Sequence, residues 1–405
     1  MSETPVVVAG AGPVGMIAAI ALDARGVPVE VYEADPEDRD RPGSRAIYIH
    51  GATIRTLETL HPGLGWKLAD AGMVWPTRRT RFRGKDVFER TYPNAAGGDD
   101  RLPPFSSLPQ VRTEALLLEA VEELDIPIHW DSPVEAVETS EDGVEIEIGG
   151  GDVVETPYLV GADGAGSTVR KEIGVEFSGE QSENSFIIID VDKLEDETRP
   201  IERVFHYDDP DLDGRNVLVV PFQGGWRVDI QCEPDDDPEH LASDAVVSDL
   251  VARVLGEAYA DRIDWVSVYQ FKQVNADSYT DDHRRVLLAG EAAHLFAPFG
   301  ARGLNSGVPD ADAAASTIAV ARGATVDSVA AAEIGACAER RRRAGDWNRD
   351  AAGQALEYLQ GTRLTTKLAK RAAAEIAPYW ERAGEWLDDA PYGPHGSPPV
   401  TVGRY

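Results

Sequence analysis

The stretch PVVVAGAGPVGMIAAIALDARGVPVEVYE, residues 5–33, decides the fold. Residues 5–9 are β-branched, uncharged and few, which is typical of a fully buried strand. An apolar helix is expected to follow as far as about Arg25, where Gly26 is a good helix stop. Residues 28–33 alternate between apolar and polar types and predict a second strand. Together these segments predict one βαβ unit of a parallel sheet.

The turn between the first strand and the helix has the spacing G-x-G-x-x-G. Gly10 permits the tight turn, Gly12 lets backbone approach a pyrophosphate, and Gly15 lets the helix pack closely on the sheet. The helix N-terminus presents free N–H groups to phosphates, and the acid that ends the second strand can accept hydrogen bonds from a ribose. The pattern therefore predicts a site for FAD or NAD. Its residues are Gly10, Ala11, Gly12, Pro13, Val14, Gly15 and Glu33.

Two further glycine-rich loops follow predicted buried strands. The first, GADGAGSTVR at residues 161–170, either binds a polar cofactor or nicotinamide nucleotide through Asp163, or is an Asp-Gly turn in which Ser167 caps a helix. The second is GEAAHLFAPFGARGLNSG at residues 290–307. Its acid can hold hydroxyl groups, and its glycine-rich helix start can offer N–H groups to an electron-rich ring edge. His294 in this loop is expected to be a packing or hydrogen-bonded residue.

Composition excludes several classes of function. The 405 residues carry 71 acidic and 39 basic side chains, a net charge of -32, which argues against nucleic acid and anionic membranes as partners. This acidity is consistent with a salt-rich habitat or with a bias toward solubility. Two cysteines without metal-type spacing, and no signal-like start, predict a cytoplasmic protein without a metal site. The run Arg340 to Arg343 is expected to be a solvated helix face.

The three motifs, in this order and separation, resemble the class A FAD-dependent monooxygenases, the aromatic hydroxylases typified by 4-hydroxybenzoate hydroxylase. The resemblance covers about residues 5 to 330. It implies an α/β fold: an FAD/NAD(P)-binding Rossmann-like domain with a parallel sheet, an inserted antiparallel sheet and a helical C-terminal tail. The expected divisions are residues 1–72, 101–182 and 274–330 for the FAD-binding domain, 73–100 and 183–273 for the substrate-binding sheet, and 331–405 for a helical region ending in an extended arm.

The resemblance also implies roles for single residues. Arg45 is expected near the flavin pyrophosphate, Gln110 and Arg112 form the polar pair at the second long helix, and Asp163 with Arg170 contacts FAD and NAD(P)H. Glu291 stands where most relatives have an aspartate on the ribityl chain. The residues expected beside the isoalloxazine ring are Pro298, Gly303, Leu304 and Asn305.

The implied activity is hydroxylation of an aromatic small molecule, phenolic or polyketide-like, with dioxygen and either NADPH or NADH, through a flavin hydroperoxide on bound FAD. Weak candidates for a catalytic residue are Tyr48, His206, Tyr207 and Pro298. An epoxidase or oxidative-rearrangement enzyme, or a flavin-binding protein without turnover, remains an alternative. A flavin-dependent halogenase is disfavoured because its W-x-W-x-I-P signature is absent from the sequence. A homodimer through the tail is possible on this interpretation.

Overall fold

The computed structural model describes residues 4–39, 47–92, 101–361 and 364–392. The strands, in chain order, are β1 (Val6–Ala9), β2 (Val29–Tyr32), β3 (Tyr48–His50), β4 (Thr77–Phe82), β5 (Lys85–Thr91), β6 (Phe105–Ser107), β7 (Ile128–His129), β8 (Val134–Thr139), β9 (Val144–Ile148), β10 (Asp152–Thr156), β11 (Leu159–Gly161), β12 (Phe177–Asp192), β13 (Glu202–Asp209), β14 (Arg215–Phe222), β15 (Gly225–Gln231), β16 (Ile263–Ala276), β17 (Val286–Leu288) and β18 (His294–Leu295). The helices are α1 (Pro13–Asp23), α2 (Gly51–Leu60), α3 (Leu64–Ala71), α4 (Gln110–Glu123), α5 (Thr168–Glu172), α6 (Pro238–Leu241), α7 (Asp244–Leu255), α8 (Arg302–Gly323), α9 (Asp327–Gln360), α10 (Leu364–Ile376) and α11 (Glu381–Asp389).

A five-stranded parallel sheet carries the first motif. Its strand order is β17-β11-β1-β2-β7, and every neighbouring pair is parallel. The β1 strand is buried along its whole length because both faces of the sheet are covered. In α1, Pro13 occupies the first turn, where its missing N–H costs nothing, and all residues from Gly15 to Leu22 are buried. The predicted βαβ unit and the parallel sheet are confirmed.

A mixed eight-stranded sheet forms the second layer, with the order β18-β16-β12-β15-β14-β13-β4-β5. It is rich in antiparallel pairs, as expected, but β4 and β13 run parallel. The β4–β5 hairpin, within the residues 73–100 assigned to this sheet, therefore forms its edge, with Arg83 and Gly84 at the turn in positive-φ conformations. The β12 strand starts at Phe177 and β16 ends at Ala276, so the sheet extends beyond the predicted limits of 183 and 273.

Two helices interrupt the region where the sequence favours strands. The α6 and α7 helices lie between β15 and β16. Four apolar side chains of α7 are buried against one face of the mixed sheet, and they belong to a separate apolar core. This leaves the opposite face of the sheet free to form a cavity. The helical spacing of the apolar residues in α7 is a local signal in the sequence. The strand-forming residues on both sides dominate the composition of the region, which therefore favours strands as a whole.

The C-terminal part is helical, as predicted; α8 packs against α1 and α9, and α9 also contacts β16 and β17. Arg341 corrects the expectation for the basic run, because it is buried and its Nε lies 2.6 Å from Asp310. Arg343 stays on the surface, where it binds Glu339. The expected extended arm at the end of the chain falls mostly on residues 393–405, outside the described residues. None of the described helices is long and apolar enough to cross a bilayer.

Candidate active site

A cleft of about 370 Å³ opens where the carboxyl ends of the parallel strands face the mixed sheet. One wall consists of the three glycine-rich loops, and the other is the free face of the mixed sheet. Of the residues expected from the sequence, those that line this cleft are Tyr48, Gly12, Pro13, Val14, Gln110, Glu291, Pro298, Gly303, Leu304 and Asn305. Segments separated by nearly 300 residues therefore share one site.

The three glycines of the first loop have different structural roles. Gly10 has φ 99°, and a Cβ there would lie 2.5 Å from the carbonyl oxygen of Ala162. A Cβ on Gly15 would overlap the carbonyl oxygen of Gly10. Gly12 has nothing within 4 Å of its Cβ position and faces the cleft. Gly10 and Gly15 are therefore required by packing, whereas Gly12 leaves open space for a ligand.

Glu33 lies beneath this loop and is buried. Its Oε2 accepts a hydrogen bond from the Ala11 N–H at 2.5 Å, and its Oε1 accepts one from the Asp35 N–H at 3.1 Å. The Arg39 guanidinium is 3.1 Å from Oε1. The Glu33 carboxylate is thus held at the end of β2 by two backbone N–H groups and one arginine. Its contact with a ribose stays a prediction.

The start of α8 forms the second part of the loop wall. The preceding residues, Gly300 and Ala301, both have positive φ, at 76° and 52°, which turns the chain sharply into the helix. The Asn305 side chain then fixes this turn: its Oδ1 accepts hydrogen bonds from the His50 N–H and the Thr53 hydroxyl, at 2.9 and 2.7 Å. Its Nδ2 donates to the Tyr48 and Ala301 carbonyl oxygens, at 2.9 and 2.8 Å. The first backbone N–H groups of α8 are left to face the cleft.

Arg302 is a residue of this turn that the sequence reasoning missed. It is buried, and its guanidinium donates to Asn348 Oδ1 and to the Tyr392 carbonyl oxygen, both at 2.9 Å. It also lies over the Trp347 ring, 5.0 Å from the centroid. Burial lowers the pKa of Arg302 to about 10. An arginine among the glycines of a helix start was the signal that could have identified it.

Glu291 is exposed on a single turn after β17 and reaches the cleft. Behind it, Asp310 of α8 accepts hydrogen bonds from His294 Nε2 and Arg341 Nε, each at 2.6 Å, and from the Gly290 N–H at 3.3 Å. Burial alone raises the pKa of Asp310, but the charges of Arg341 and His294 bring it below its usual value. His294 is therefore a buried, hydrogen-bonded residue, as expected.

The Asp163 loop adopts the turn that was the structural alternative. Its carboxylate accepts hydrogen bonds from the Ser167 hydroxyl at 2.5 Å and from the Val169 N–H at 3.0 Å. Ser167 in turn accepts a hydrogen bond from the Arg170 N–H and caps α5. The Arg170 guanidinium stacks over Phe177, 3.8 Å from the ring centroid. The neighbouring Ala162 and Gly164 line the cleft, so the backbone of this loop reaches it; cofactor contacts of Asp163 and Arg170 stay predictions.

The remaining expected residues are spread more widely. Gln110 lies at the cleft, and its Nε2 donates to Glu114 at 2.8 Å. Arg112 is exposed on α4 and is not among the residues that line the cleft. Arg45 lies outside the described residues.

Of the weak catalytic candidates, the structure does not bring His206 and Tyr207 to the cleft. The His206 Nδ1 lies 2.8 Å from Asp209, and the Tyr207 hydroxyl donates to the Leu387 carbonyl oxygen beneath α11. Tyr48 lines the cleft and stacks on Phe105, and Pro298 of the third glycine-rich loop also lines the cleft.

The mixed sheet gives the cleft a mostly apolar face. Its apolar residues are Phe186, Ile188, Phe205, Leu218, Val220, Tyr269 and Phe271. Polar groups also reach this face. Arg203 binds Asp388 at 2.7 Å, and both residues are buried. Asn216 donates to Gln231 at 2.7 Å.

An ion pair and a lone carboxylate complete the sheet face. Arg227 forms two hydrogen bonds with Asp190, at 2.8 and 2.7 Å. The Asp229 side chain, two residues further along β15, has a buried Oδ1 without a partner among the described residues. Burial raises the pKa of Asp229 to about 7. The charge of Arg227 lowers this pKa and the charge of Asp190 raises it. Sequence reasoning missed these residues, although the alternation in WRVDIQC, residues 226–232, was a signal for one polar face.

The chain has relatives among known proteins. Residues 3–345 match the family model described as an FAD binding domain. The chain is 33% identical over 324 residues to 6-methylpretetramide 4-monooxygenase of Streptomyces rimosus, which covers 76% of this chain and 54% of that protein. It is 30% identical over 315 residues to dialkyldecalin synthase of Streptomyces rugosporus, covering 77% and 64%. The chain thus spans less than two thirds of the length of these two relatives.

A solved structure extends the likeness to nearly the whole chain. The crystal structure of p-nitrophenol 4-monooxygenase from Pseudomonas putida matches with a TM-score of 0.77 and 25% identity, over 96% of this chain and 98% of the other. Both sheets and the C-terminal helices thus belong to one shared architecture.

Proposed function

Because the chain belongs to the class A FAD-dependent monooxygenases, we propose that it uses NADPH or NADH and dioxygen to hydroxylate an aromatic small molecule, phenolic or polyketide-like. One observation carries this proposal: a single cleft joins the nucleotide-binding edge of the parallel sheet to the apolar face of the mixed sheet. A ring held against that face would lie beside whatever the glycine-rich loops bind.

The residues of the loop wall fit FAD. Gly12 and Gly303 each have open space where a Cβ would stand, so backbone can approach a ligand at both helix starts. Gly12, Pro13 and Val14 would hold the pyrophosphate, and Glu33 the ribose. Glu291 would reach the ribityl hydroxyls, and residues 303–305 would face the pyrimidine edge of the ring.

When bound, FAD supplies the redox chemistry, taking electrons from the reduced nicotinamide and activating dioxygen. The chain's own residues supply binding and electrostatics. The N–H groups at the start of α8 and the Arg302 charge, which has no acidic partner among the described residues, favour negative charge at the ring edge. The apolar sheet face excludes water from the reacting ring.

The test measures consumption of NADPH and NADH by the FAD-loaded protein, with and without a panel of phenols and aromatic polyketides. Stimulation by an aromatic compound, with one atom of isotopically labelled dioxygen in the product, is the expected result. Absence of stimulation by any aromatic compound contradicts the proposal. The position and mass of the added oxygen separate hydroxylation from epoxidation or oxidative rearrangement.

A second candidate is an FAD-containing protein that converts its substrate without oxygen transfer. Its support is the similarity to a relative named a synthase, dialkyldecalin synthase, at 30% identity. It predicts a product that contains no labelled oxygen and forms without consumption of a nicotinamide. The same assay distinguishes both candidates.

We also propose a cytoplasmic location and a homodimer. Cys232 and Cys337 are both buried and free, which suits a reducing compartment. Large apolar side chains exposed on α10, on α11 and between them, including Leu364, Tyr379 and Trp380, support a contact between copies there. Light scattering after size-exclusion chromatography tests the homodimer, and a monomeric mass contradicts it.

A further inference from the structure

Asp229 is a partly buried residue whose Oδ1 has no partner among the residues that the structure describes. It lies in the middle of β15, opposite Ile188 of β12 and Leu218 of β14, and its side chain lines the cleft. Its Oδ1 is buried and accepts no hydrogen bond from the described residues. A buried carboxylate normally has a cation or several donors. The missing donor must therefore come from outside the described residues.

The cations nearby do not serve this purpose. Arg227, on the same face of β15, is engaged by both oxygens of Asp190. Arg203 is engaged by Asp388 of α11. Both arginines are thus neutralised by acids, and Asp229 leaves the sheet face of the cleft with an excess of negative charge.

We propose that Asp229 accepts a hydrogen bond from a hydroxyl group of the substrate, so that the cleft takes an uncharged phenolic ring and excludes aromatic carboxylates. This inference rests on the proposed function, because it assigns the substrate class of the same cleft. The donor preference follows from the unpartnered oxygen. The exclusion follows from desolvation. A second carboxylate beside Asp229 would find both arginines of the sheet face already paired with acids, and the Arg302 charge lies on the loop wall.

Burial raises the pKa of Asp229 to about 7, so near neutral pH its carboxyl exists in both protonation states. In either state one oxygen can accept a hydrogen bond from a hydroxyl. The groups that set this equilibrium are Arg227 on its own strand and Asp190 on β12.

Equilibrium dialysis of three probes against the FAD-loaded protein tests the inference. The probes are 4-chlorophenol, its methyl ether 4-chloroanisole, and 4-chlorobenzoate, at about pH 8, where Asp229 is ionised and the phenol is neutral. The wild type is expected to bind 4-chlorophenol at least about tenfold more tightly than the ether, as for a hydrogen bond to a charged group. It is expected to bind 4-chlorobenzoate least.

Two substitutions separate the two parts of the inference. Asp229→Asn keeps an acceptor oxygen but loses the charge, so the preference for the phenol over the ether persists while 4-chlorobenzoate gains affinity. Asp229→Leu removes both the acceptor oxygen and the charge. The affinities for the phenol and the ether are then expected to lie within about threefold of each other. Asp192→Asn removes an exposed carboxylate of β12 and is the matched control, with wild-type binding expected. Bound FAD and the melting temperature show that each variant is folded.

Three results overturn the inference: equal binding of 4-chlorobenzoate and 4-chlorophenol by the wild type, an unchanged preference for the phenol over the ether in Asp229→Leu, or no binding of 4-chlorophenol. Dialysis requires neither a nicotinamide nor turnover. If the protein shows the expected binding pattern but never consumes a nicotinamide, the proposed hydroxylation is contradicted and the recognition by Asp229 is not. Turnover with a carboxylate-bearing aromatic substrate would contradict the recognition by Asp229 alone.

Discussion

At the scale of single residues, a methyl group is expected to act differently at two glycines of the first loop. Gly12→Ala places its Cβ in open space, so the unfolding free energy of the apoprotein should change by less than about 1 kcal/mol. The same methyl group crowds the pyrophosphate, and FAD affinity should fall about tenfold or more, since lost charged hydrogen bonds are each worth that much. Urea unfolding and titration of FAD fluorescence measure the two effects.

Gly15→Ala is the matched variant, because its Cβ overlaps the Gly10 carbonyl. It should lower the stability of the apoprotein by about 3 kcal/mol or more, the upper range for overpacking. Unchanged FAD binding in Gly12→Ala would show that this loop does not approach the pyrophosphate.

His50 should make the apoprotein sensitive to mild acid. Its Nε2 lies 3.2 Å from the Gly300 carbonyl oxygen, and burial lowers its pKa from 6.5 to about 4, with the Gly300 contact raising it and the Arg302 charge lowering it. Between these two pH values the unfolded chain binds a proton that the folded chain does not. Stability therefore falls as the pH drops through this window, by about 3 kcal/mol in total.

The measurement for His50 is the unfolding free energy of the apoprotein against pH, compared with that of His50→Asn. The wild type should lose about 3 kcal/mol more than the variant between pH 6.5 and pH 4. Parallel curves for the two proteins would contradict the assignment.

At the scale of elements, Asp310 joins three segments: the turn after β17, the α8 helix and the α9 helix. Asp310→Ala leaves the Arg341 charge buried without its partner, and we expect a loss of about 3–5 kcal/mol in unfolding free energy. Asp312→Ala, two residues along α8, removes a partly exposed contact with Arg25 and should cost less than about 1 kcal/mol. Urea unfolding of both variants gives the comparison, and similar losses would contradict a special role for Asp310.

The elements also show what the sequence could predict. The unit formed by β1, α1 and β2 is local, and its periodicity and glycine spacing are sufficient to define it. The parallel pairing of β4 with β13 joins segments more than 100 residues apart, and no local pattern records that contact.

The same limit applies to the side chains of the site. Arg341 looked like part of a solvated basic face, and only the position of α8 against α9 explains its burial beside Asp310. In the sequence, Asp229 is one polar residue of a strand and nothing marks it out. Its lack of a partner depends on the acids that pair with Arg203 and Arg227, and those pairings are tertiary contacts. Spacing in the sequence predicted the glycine-rich loops that line the cleft, whereas the composition of its sheet face follows from tertiary pairing.

At the scale of the whole molecule, the net charge of -32 should make stability depend on salt. Repulsion among surface carboxylates opposes the compact state, and raising the ionic strength from about 0.1 M to about 1 M shortens the Debye length from about 10 Å to about 3 Å. We expect the melting temperature to rise with potassium chloride over this range. Sodium chloride should act equally if screening is the cause, and a melting temperature that stays constant or falls would contradict it.

The far end of the described chain forms part of the cleft. Leu359, Pro391 and Tyr392 line it, and the Tyr392 carbonyl oxygen accepts a hydrogen bond from Arg302, although the family model ends at residue 345. The segment that the family model covers is therefore shorter than the segment that lines the cleft. Exchange of the residues after 345 between relatives would replace part of the cleft lining and, through Asn348 and Tyr392, would also alter the contacts that hold Arg302, so evolution would change the shape of the chamber and the charge at the start of α8 together.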